Sequence, residues 1–383
     1  MSIIALFMLL CGAFSKFMHW AGASIEIILA IFLFVCGALP LIIIDRYEKR
    51  KGLLTGRVIL LNILDLAAVF CICIGFLFKF QHWPYGSVML YTGIIMLISS
   101  FILWNISFRK EVKLRAQVEE KLRVTLHEVE EKQREITDSI SYAKRIQQAL
   151  IPPMSFIHKF LPGTFVYYQP KDIVAGDFYW AEAVEDTFLI AAADCTGHGV
   201  PGAMVSVVCS NALNRSIKEF GLEDPGLILD KTRELVLETF IKGGEDIKDG
   251  MDISLASFTK AGSQTEVVWA GANNPLWYIQ NGTFHEIKAN KQPIGKSDFP
   301  TPFTSHRLLL NRGDQLFLFT DGYADQFGGE KGKKFRYRQM EDLLTSIRNH
   351  TPQAQLDTVK SVMDTWKGPL EQVDDICVIG ITL

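Results

Sequence analysis

Hydrophobic and polar positions change rhythm twice along the chain. Four nearly unbroken apolar runs come first, at roughly 2–14, 21–44, 58–77 and 86–108. A bilayer core of about 30 Å needs roughly 20 apolar helical residues. The second, third and fourth runs meet that length, and the first reaches it only if it extends through Phe17. From Arg109 to Leu150 there is no Gly or Pro, and Lys, Arg, Glu and Gln dominate, which predicts one long solvated helix. Pro152-Pro153 stops it. Beyond Phe156 come short β-rich runs at 164–168, 188–193, 254–258, 266–270, 276–279, 315–320 and 376–382, with helical segments at 202–220, 225–240, 340–348 and 354–366. Groups of strands separated by helices predict an α+β domain with sheet packed on sheet or on helix. The expected division is a transmembrane region of four helices over 1–108, a helical coiled-coil linker over 109–151 and a soluble domain over 152–383.

Charge placement refines the first region. Met1 to Phe108 holds eleven charged side chains. Arg46, Lys49, Arg50, Lys51 and Arg57 lie between the second and third runs, and Arg109, Lys110, Lys113 and Arg115 follow the fourth. The positive-inside rule puts both clusters and both termini in the cytoplasm, and hence the protein in a bacterial inner membrane as a multi-pass chain. No Lys or Arg precedes the first run, which argues against a cleaved secretory signal. The two outward turns repeat: Gly12, Lys16-Phe17-Met18-His19-Trp20 and Ser24 return 63 positions later as Gly75, Lys79-Phe80-Gln81-His82-Trp83 and Ser87. The region therefore reads as a duplicated hairpin. Its H-W turns resemble the membrane subunit of the gliding-motility and secretion motor, a likeness confined to the turn that transfers no motor function. Interface anchoring accounts for Trp and for snorkelling Lys, and His19 and His82 read as anchors or as a pH sensor. Glu26 and Asp65 are intramembrane carboxylates, read as interhelical hydrogen-bonding groups or as sensing and ion-coupling groups.

In the linker a seven-residue frame aligns Leu122, Val129, Ile136, Ala143 and Leu150 on one seam and Val118, Thr125 and Ile146 on the other, interrupted by Lys132 and Ser139. That predicts a homodimeric two-stranded coiled coil of modest stability, against the alternative of a single amphipathic helix. A weak seam between membrane and soluble parts can switch between arrangements of similar energy.

The chain has 383 residues, 49% of them hydrophobic, with a net charge of −3 and a pI near 6.3. There is no basic stripe for nucleic acid, no Gly-rich nucleotide fingerprint and no zinc-type cysteine spacing. The informative residues are acids at strand ends. Asp177 stands in Ala-Gly-Asp-Phe-Tyr, Asp194 follows Ile190-Ala191-Ala192-Ala193, Asp321-Gly322 closes Leu316–Thr320, and Asp374-Asp375 opens the last strand. Singly, each is an ordinary turn or cap. As converging buried carboxylates they need compensating charge, and oxygen-only ligands favour Mg²⁺ or Mn²⁺ over Zn²⁺.

The ordered motifs A-G-D-F-Y, D-C-T-G-H-G-x-P-G-A, A-G-A-N-N-P, F-T-D-G-Y-A-D and D-D-I resemble the SpoIIE-type branch of the metal-dependent type-2C (PPM) serine/threonine protein phosphatases. Ser141–Leu150 is similar to the helix leading into such domains, so the resemblance covers about residues 135–383. It implies an αββα sandwich with a two-metal site at one edge of two central sheets, holding two Mn²⁺ or Mg²⁺ ions. Asp194 would bridge the ions, Asp177 and the Cys195 carbonyl would complete one, and Asp321 with Asp374 the other. Asp375 is a substitute ligand or supports its neighbour, and Asp249 and Asp252 are candidates for a weaker third ion. Two positions depart from the family pattern: Trp180 where an acid is frequent, and Cys195 where Gly is frequent. Cys195 reads as a tolerated small residue or as a site of thiol oxidation.

The implied reaction is hydrolysis of phosphoserine or phosphothreonine in a cytoplasmic signalling protein, of which an anti-sigma-factor antagonist is one example, by metal-activated water. No C-x5-R thiol-phosphatase setting is present. His198, between two glycines, is a candidate general acid or a hydrogen bonder at a turn. Lys171 is a phosphate-facing charge or a solvated loop residue. Two other readings stand beside this one: a phosphatase-like binding module without activity, motivated by Trp180 and Cys195, and an ion-coupled membrane assembly, motivated by Glu26 and Asp65.

Overall fold

The structure is a computed structural model that describes residues 2–18, 23–34, 37, 41, 56–80, 82–241 and 249–383. It divides into two compact units, Met1–Glu130 and Glu131–Leu383. The expected turn residues His19 and Trp20, and the basic residues Arg46, Lys49, Arg50 and Lys51, lie outside the described residues.

In the first unit, α1 (Ser2–Phe17) and α2 (Ala23–Leu33) are followed by α3 (Gly56–Phe80) and by α4 (Gly86–Gln148), a single helix of 63 residues. Two helices among the described residues, at Leu60–Lys79 and Gly86–Gln148, are long and apolar enough to cross a membrane by length and composition. The helices approach closely at glycines. A Cβ on Gly12 would stand 2.8 Å from the Ile27 side chain, and one on Gly75 would stand 2.6 Å from the Leu90 backbone. Both partners are 63 positions apart, so the packing repeats with the sequence. Close approach at small residues is how apolar helices associate where burial of apolar surface drives nothing. Helix α4 continues through position 108 without a break because nothing beyond it interrupts a helix: Arg109 onward lacks Gly and Pro. Its seam residues Leu122, Val129 and Ile136 are exposed in the single chain.

The second unit begins, after Pro152-Pro153, with the short helix α5 (Met154–Phe160). Strands β1 (Gly163–Gln169), β2 (Phe178–Val184) and β3 (Thr187–Cys195) precede α6 (Gly199–Lys218) and α7 (Pro225–Ile241). Then come β4 (Met251–Ala261), β5 (Gln264–Ala272), β6 (Leu276–Gln280), β7 (Thr283–Ile287), β8 (His306–Leu310) and β9 (Gln315–Phe319). The chain closes with α8 (Gly322–Asp325), a two-residue hairpin of β10 (Phe327–Gly328) and β11 (Lys333–Lys334), α9 (Tyr337–Ser346), α10 (Pro352–Lys367) and β12 (Ile376–Thr382). Two five-stranded antiparallel sheets form, in the orders β1-β12-β9-β6-β7 and β2-β3-β4-β5-β8.

Side-chain alternation explains the layers. On β3, Phe188, Ile190 and Ala192 join Leu316, Leu318, Cys377 and Ile379 in the core between the sheets. Leu189, Ala191 and Ala193 point the other way, against Cys209, Leu213, Ile228 and Val236 of α6 and α7. On the opposite sheet Phe317, Phe319 and Val378 pack on Met340, Leu344, Val359 and Met363 of α9 and α10. Central strands buried on both faces read as continuous apolar runs, and the result is the αββα sandwich that the resemblance implies.

The strands absent from the sequence reading are β2, β7 and β8, together with the β10–β11 hairpin. Strands β2, β7 and β8 are all sheet edges, where partial exposure removes the unbroken apolar run that marks a central strand.

Candidate functional site

Both sheets bring acids to one common end. Asp194 lies on β3 directly opposite Asp252 at the start of β4, and Asp177 immediately precedes β2, whose Phe178 pairs with Ala193. In the other sheet Phe319, near the end of β9, pairs with Val378. The Thr320 N–H donates to the Cys377 carbonyl at 2.9 Å, which places Asp321 beside Asp374 and Asp375 at the start of β12. Antiparallel order does this without any loop excursion, since the end of one strand adjoins the beginning of the next.

The electrostatics records how close these groups are. Burial, followed by Asp194, pushes the Asp177 carboxyl well above its ordinary range, opposed by the nearby Thr320 hydroxyl. Burial raises Asp194 to about 8, with Asp321, Asp252 and Asp374 adding to it. Asp321 is raised to about 6 by burial and then by Asp325, Asp374 and Asp252, with Lys334 pulling the other way. Asp252 is raised by burial, and the amide of Asn273, which donates to its Oδ1 at 2.8 Å, opposes that. Repulsion among acids at a low-dielectric edge is relieved by cations.

Three observations bear on whether cations fit. Asp177 is buried, and its Oδ2 has no hydrogen-bond partner, an orphan acceptor of the kind that a ligand satisfies. All the candidate donors are oxygens, as Mg²⁺ and Mn²⁺ prefer. Among the described residues no three His, Cys, Asp or Glu side chains form a ready-made cage for one ion. Mg²⁺-type sites do not need one, because such ions keep several waters and use one or two carboxylates each. The residues present therefore fit the group.

The supporting residues differ from ligands in what they touch. Asp375 is almost fully buried, and its Oδ1 and Oδ2 accept the N–H groups of Lys171 and Gly176, each at 2.7 Å. Burial raises its carboxyl, and those N–H donors hold it down. Gly176 permits the loop before Asp177 to lie against the turn after Asp194: a Cβ there would collide with the Gly197 carbonyl and stand 3.1 Å from the Cys195 carbonyl oxygen. Gly197 itself has φ of +84°, a left-handed conformation suited to glycine.

The two departures from the family pattern are core residues. Trp180 is buried, and its Nε1 donates to Asn214 Oδ1 of α6 at 2.9 Å. The Cys195 thiol is buried among α6 side chains with Cys209, and burial pushes it well above the usual thiol range. Burial of this kind disfavours the thiolate. His198, at the N-cap of α6, places Nδ1 2.9 Å from Asp172 Oδ2, with both side chains about half exposed. Asp249 is partly buried just before β4.

Sequence reasoning missed four residues here: Asp172, Asn273, Thr320 and Gln147. Asn273, Thr320 and Gln147 lie within the quoted motifs without having been given a role there, and Asn273 adopts a positive φ of 56°. Asp172, Thr320 and Gln147 act through contacts distant in sequence.

Comparison with known proteins agrees with this fold. The SiaA-PP2C domain of Pseudomonas aeruginosa superposes with a TM-score of 0.59 at 29% identity, covering 66% of this chain and 98% of that one. Phosphoserine phosphatase RsbU of Bacillus subtilis is 25% identical over 238 residues, 61% of this chain and 66% of RsbU. Phosphoserine phosphatase RsbP of the same organism is 26% identical over 160 residues, 42% of this chain and 39% of RsbP. The chain thus spans less than two thirds of the length of either curated relative. The family model described as Stage II sporulation protein E (SpoIIE) matches residues 185–383, more than half of the chain and the part that carries Asp194, Asp321 and Asp374. The chain belongs to the SpoIIE family.

Proposed function

We propose that this protein is a metal-dependent phosphoprotein phosphatase that removes phosphate from serine or threonine of a cytoplasmic signalling protein. The observation that carries the reading is the meeting of Asp177, Asp194, Asp321 and Asp374 at one end of two sheets, with the buried Asp177 Oδ2 unpartnered. Two Mn²⁺ or Mg²⁺ ions, when bound, would acidify a water and neutralise charge on the phosphoryl group. Asp194 would be shared between them, with Asp177 and the Cys195 carbonyl on one side and Asp321 and Asp374 on the other. Asp249 and Asp252 remain the candidates for a weaker third ion.

The chain's own residues do the positioning. Asp375 holds the 171–176 backbone in place by accepting two peptide N–H groups, and we assign it this supporting role beside that of a substitute ligand. Asp172, by accepting from Nδ1 of His198, would leave Nε2 to carry a proton toward a leaving serine alkoxide.

The apolar helices anchor the enzyme in the bacterial inner membrane, with the basic residues Arg109, Lys110, Lys113 and Arg115 on the cytoplasmic side. Pairing of the exposed α4 seam in a homodimer would carry regulation from the membrane unit to the phosphatase unit. Relatives named phosphoserine phosphatases support the substrate class, and an anti-sigma-factor antagonist or similar switch protein fits it. Comparing phosphoproteomes of cells carrying the wild type and Asp194→Asn tests the reading. A small set of phosphoserine or phosphothreonine sites should accumulate in the variant; an unchanged phosphoproteome would refute it.

A further inference from the structure

The two repeats of the first unit share a cavity. It measures about 380 Å³ and is lined by Lys16 of α1, Phe76 and Lys79 of α3, His82 of the following turn and Leu90 of α4. Lys16 and Lys79 occupy the same position of the two repeats, 63 residues apart. The duplication therefore delivers one lysine from each repeat to a single cavity, whose size lies in the range of roughly 300–1,000 Å³ found for small-ligand sites.

Helix packing fixes the walls. A Cβ on Gly86 would stand 2.6 Å from the Lys79 backbone nitrogen, and one on Gly75 would stand 2.6 Å from that of Leu90, so glycine lets α3 and α4 close on each other at both levels. Phe76 and Lys79, three residues apart, share a face of α3. The turn is tied down by the Trp83 N–H, which donates to the Phe78 carbonyl at 2.9 Å, and by the His82 N–H, which donates to the Lys79 carbonyl at 3.3 Å. The Trp83 ring meets Phe78 edge to face, with centroids 5.1 Å apart. His82 has φ of +58°, a left-handed backbone conformation uncommon outside glycine.

Snorkelling to the headgroups accounts for lysines one at a time. It does not account for two lysines and an imidazole around one cavity, which no acid lines among the described residues. Glu26 of α2 lies one turn of α1 away from Lys16, where a Cβ on Gly12 would stand 3.3 Å from the Glu26 Cβ. An ammonium carries three donors, so a lysine engaged with a neighbour keeps hydrogens for a ligand. In the orientation proposed above, Lys16 and Lys79 are the two Lys or Arg residues that 1–108 places at its outward turns, against the positive-inside bias. Phe76 and Leu90 make the rest of the lining apolar. Lysines bind phosphate as point charges, and an apolar wall beside them accepts the body that carries the phosphate.

We infer that this cavity is an anion site in which Lys16, Lys79 and His82 bind one phosphate group, borne by an anionic lipid or by a small phosphate compound in solution. The inference is independent of the metal centre.

The test uses the full chain in phosphatidylcholine nanodiscs, chelated so that no ion in the acid cluster offers phosphate a second site. Two probes separate the sources. Phosphatidylglycerol is added as a minor lipid and its retention read by native mass spectrometry over a series of fractions; inorganic phosphate is titrated by calorimetry into nanodiscs without it. Lys16→Gln combined with Lys79→Gln should weaken binding of the probe that wild type takes by at least about tenfold, the scale of losing one hydrogen bond to a charged group. Lys49→Gln combined with Lys51→Gln removes the same charge from the loop between α2 and α3, and should stay within about threefold of wild type. His82→Asn keeps a residue that tolerates the left-handed turn but removes the imidazole, and should also weaken binding. If the Lys16 and Lys79 double variant does not fold, Lys79→Gln alone and His82→Asn decide by the same readouts. Specific retention of phosphatidylglycerol alone identifies a lipid site, and uptake of inorganic phosphate identifies a site for a soluble compound; both support the inference. Wild type that binds neither probe overturns it, as does equal loss in the two double lysine variants, which would mean attraction to net charge and not to the cavity.

Discussion

Asp194 and Asp252 are register partners across β3 and β4, two acids facing each other at the end of a buried sheet. Cross-strand neighbours of like charge destabilise a sheet, and after burial Asp321, Asp252 and Asp374 further raise the Asp194 carboxyl. An arrangement of this kind is unfavourable while the acids are ionised and uncompensated, and the proposed cations would relieve it.

The pH dependence of the metal-free protein follows with a definite sign. Folded carboxyls at about 8 for Asp194 and about 6 for Asp321 lie above the unfolded value of about 3.9. The folded state binds protons more tightly, so these groups favour folding fully below about pH 4 and less as pH rises through 6 and 8. Thermal melts of the chelator-treated protein should show a melting temperature that declines from pH 5 to pH 8, and saturating Mn²⁺ should flatten the decline. A melting temperature that rises with pH in the metal-free protein would contradict the acid cluster.

Gly176→Ala places a methyl group against the Gly197 carbonyl and 3.1 Å from that of Cys195. Backbone oxygens cannot rotate away as a side chain does, so the loop must shift. We expect a loss of about 1–3 kcal/mol in stability together with weakened Mn²⁺ binding, measured by denaturant unfolding and calorimetry on the same sample.

Trp180→Phe should separate core from chemistry. It removes the bond to Asn214 Oδ1 on α6 and should cost about 1 kcal/mol, while kcat and KM toward a phosphoprotein stay within experimental error of wild type. A large fall in kcat with unchanged stability would restore a functional role to this position.

The linker makes a separate claim about assembly. Leu122 and Ile136 are more than half exposed in the single chain and lie on one seam of the heptad frame. Leu122→Glu combined with Ile136→Glu should convert a dimer to a monomer in sedimentation analysis of the detergent-solubilised chain, since acids at seam positions oppose pairing. Wild type sedimenting as a monomer would end the coiled-coil proposal.

Much of this fold was legible because central strands announce themselves. Phe188–Ala193, Gln315–Thr320 and Ile376–Thr382 are buried on both faces and read as apolar runs, and the acids sit where those runs stop. The edge strands β2, β7 and β8 were not legible, because half-exposed strands mix polar with apolar residues. Trp180 stood out only as a departure from a pattern, and its packing against α6 gives the reason it is tolerated. Asp172 left no mark at all, and Gln147 and Thr320 stood in quoted motifs without a role: each acts through a partner 26 to 59 residues away, and hydrogen bonds of that separation have no local signature. The continuous helix through position 108 was hidden by its own composition, since a change from apolar to charged residues looks like a boundary although the backbone does not break.

The most direct measurement is phosphate release from a serine-phosphorylated protein by the full chain, with and without Mn²⁺, for wild type and Asp194→Asn. Wild type should turn over only with the metal, and loss of the shared carboxylate should lower kcat by at least about a hundredfold, the scale of losing one main electrostatic element. Equal rates in wild type and Asp194→Asn, or full activity after exhaustive chelation, would contradict the account.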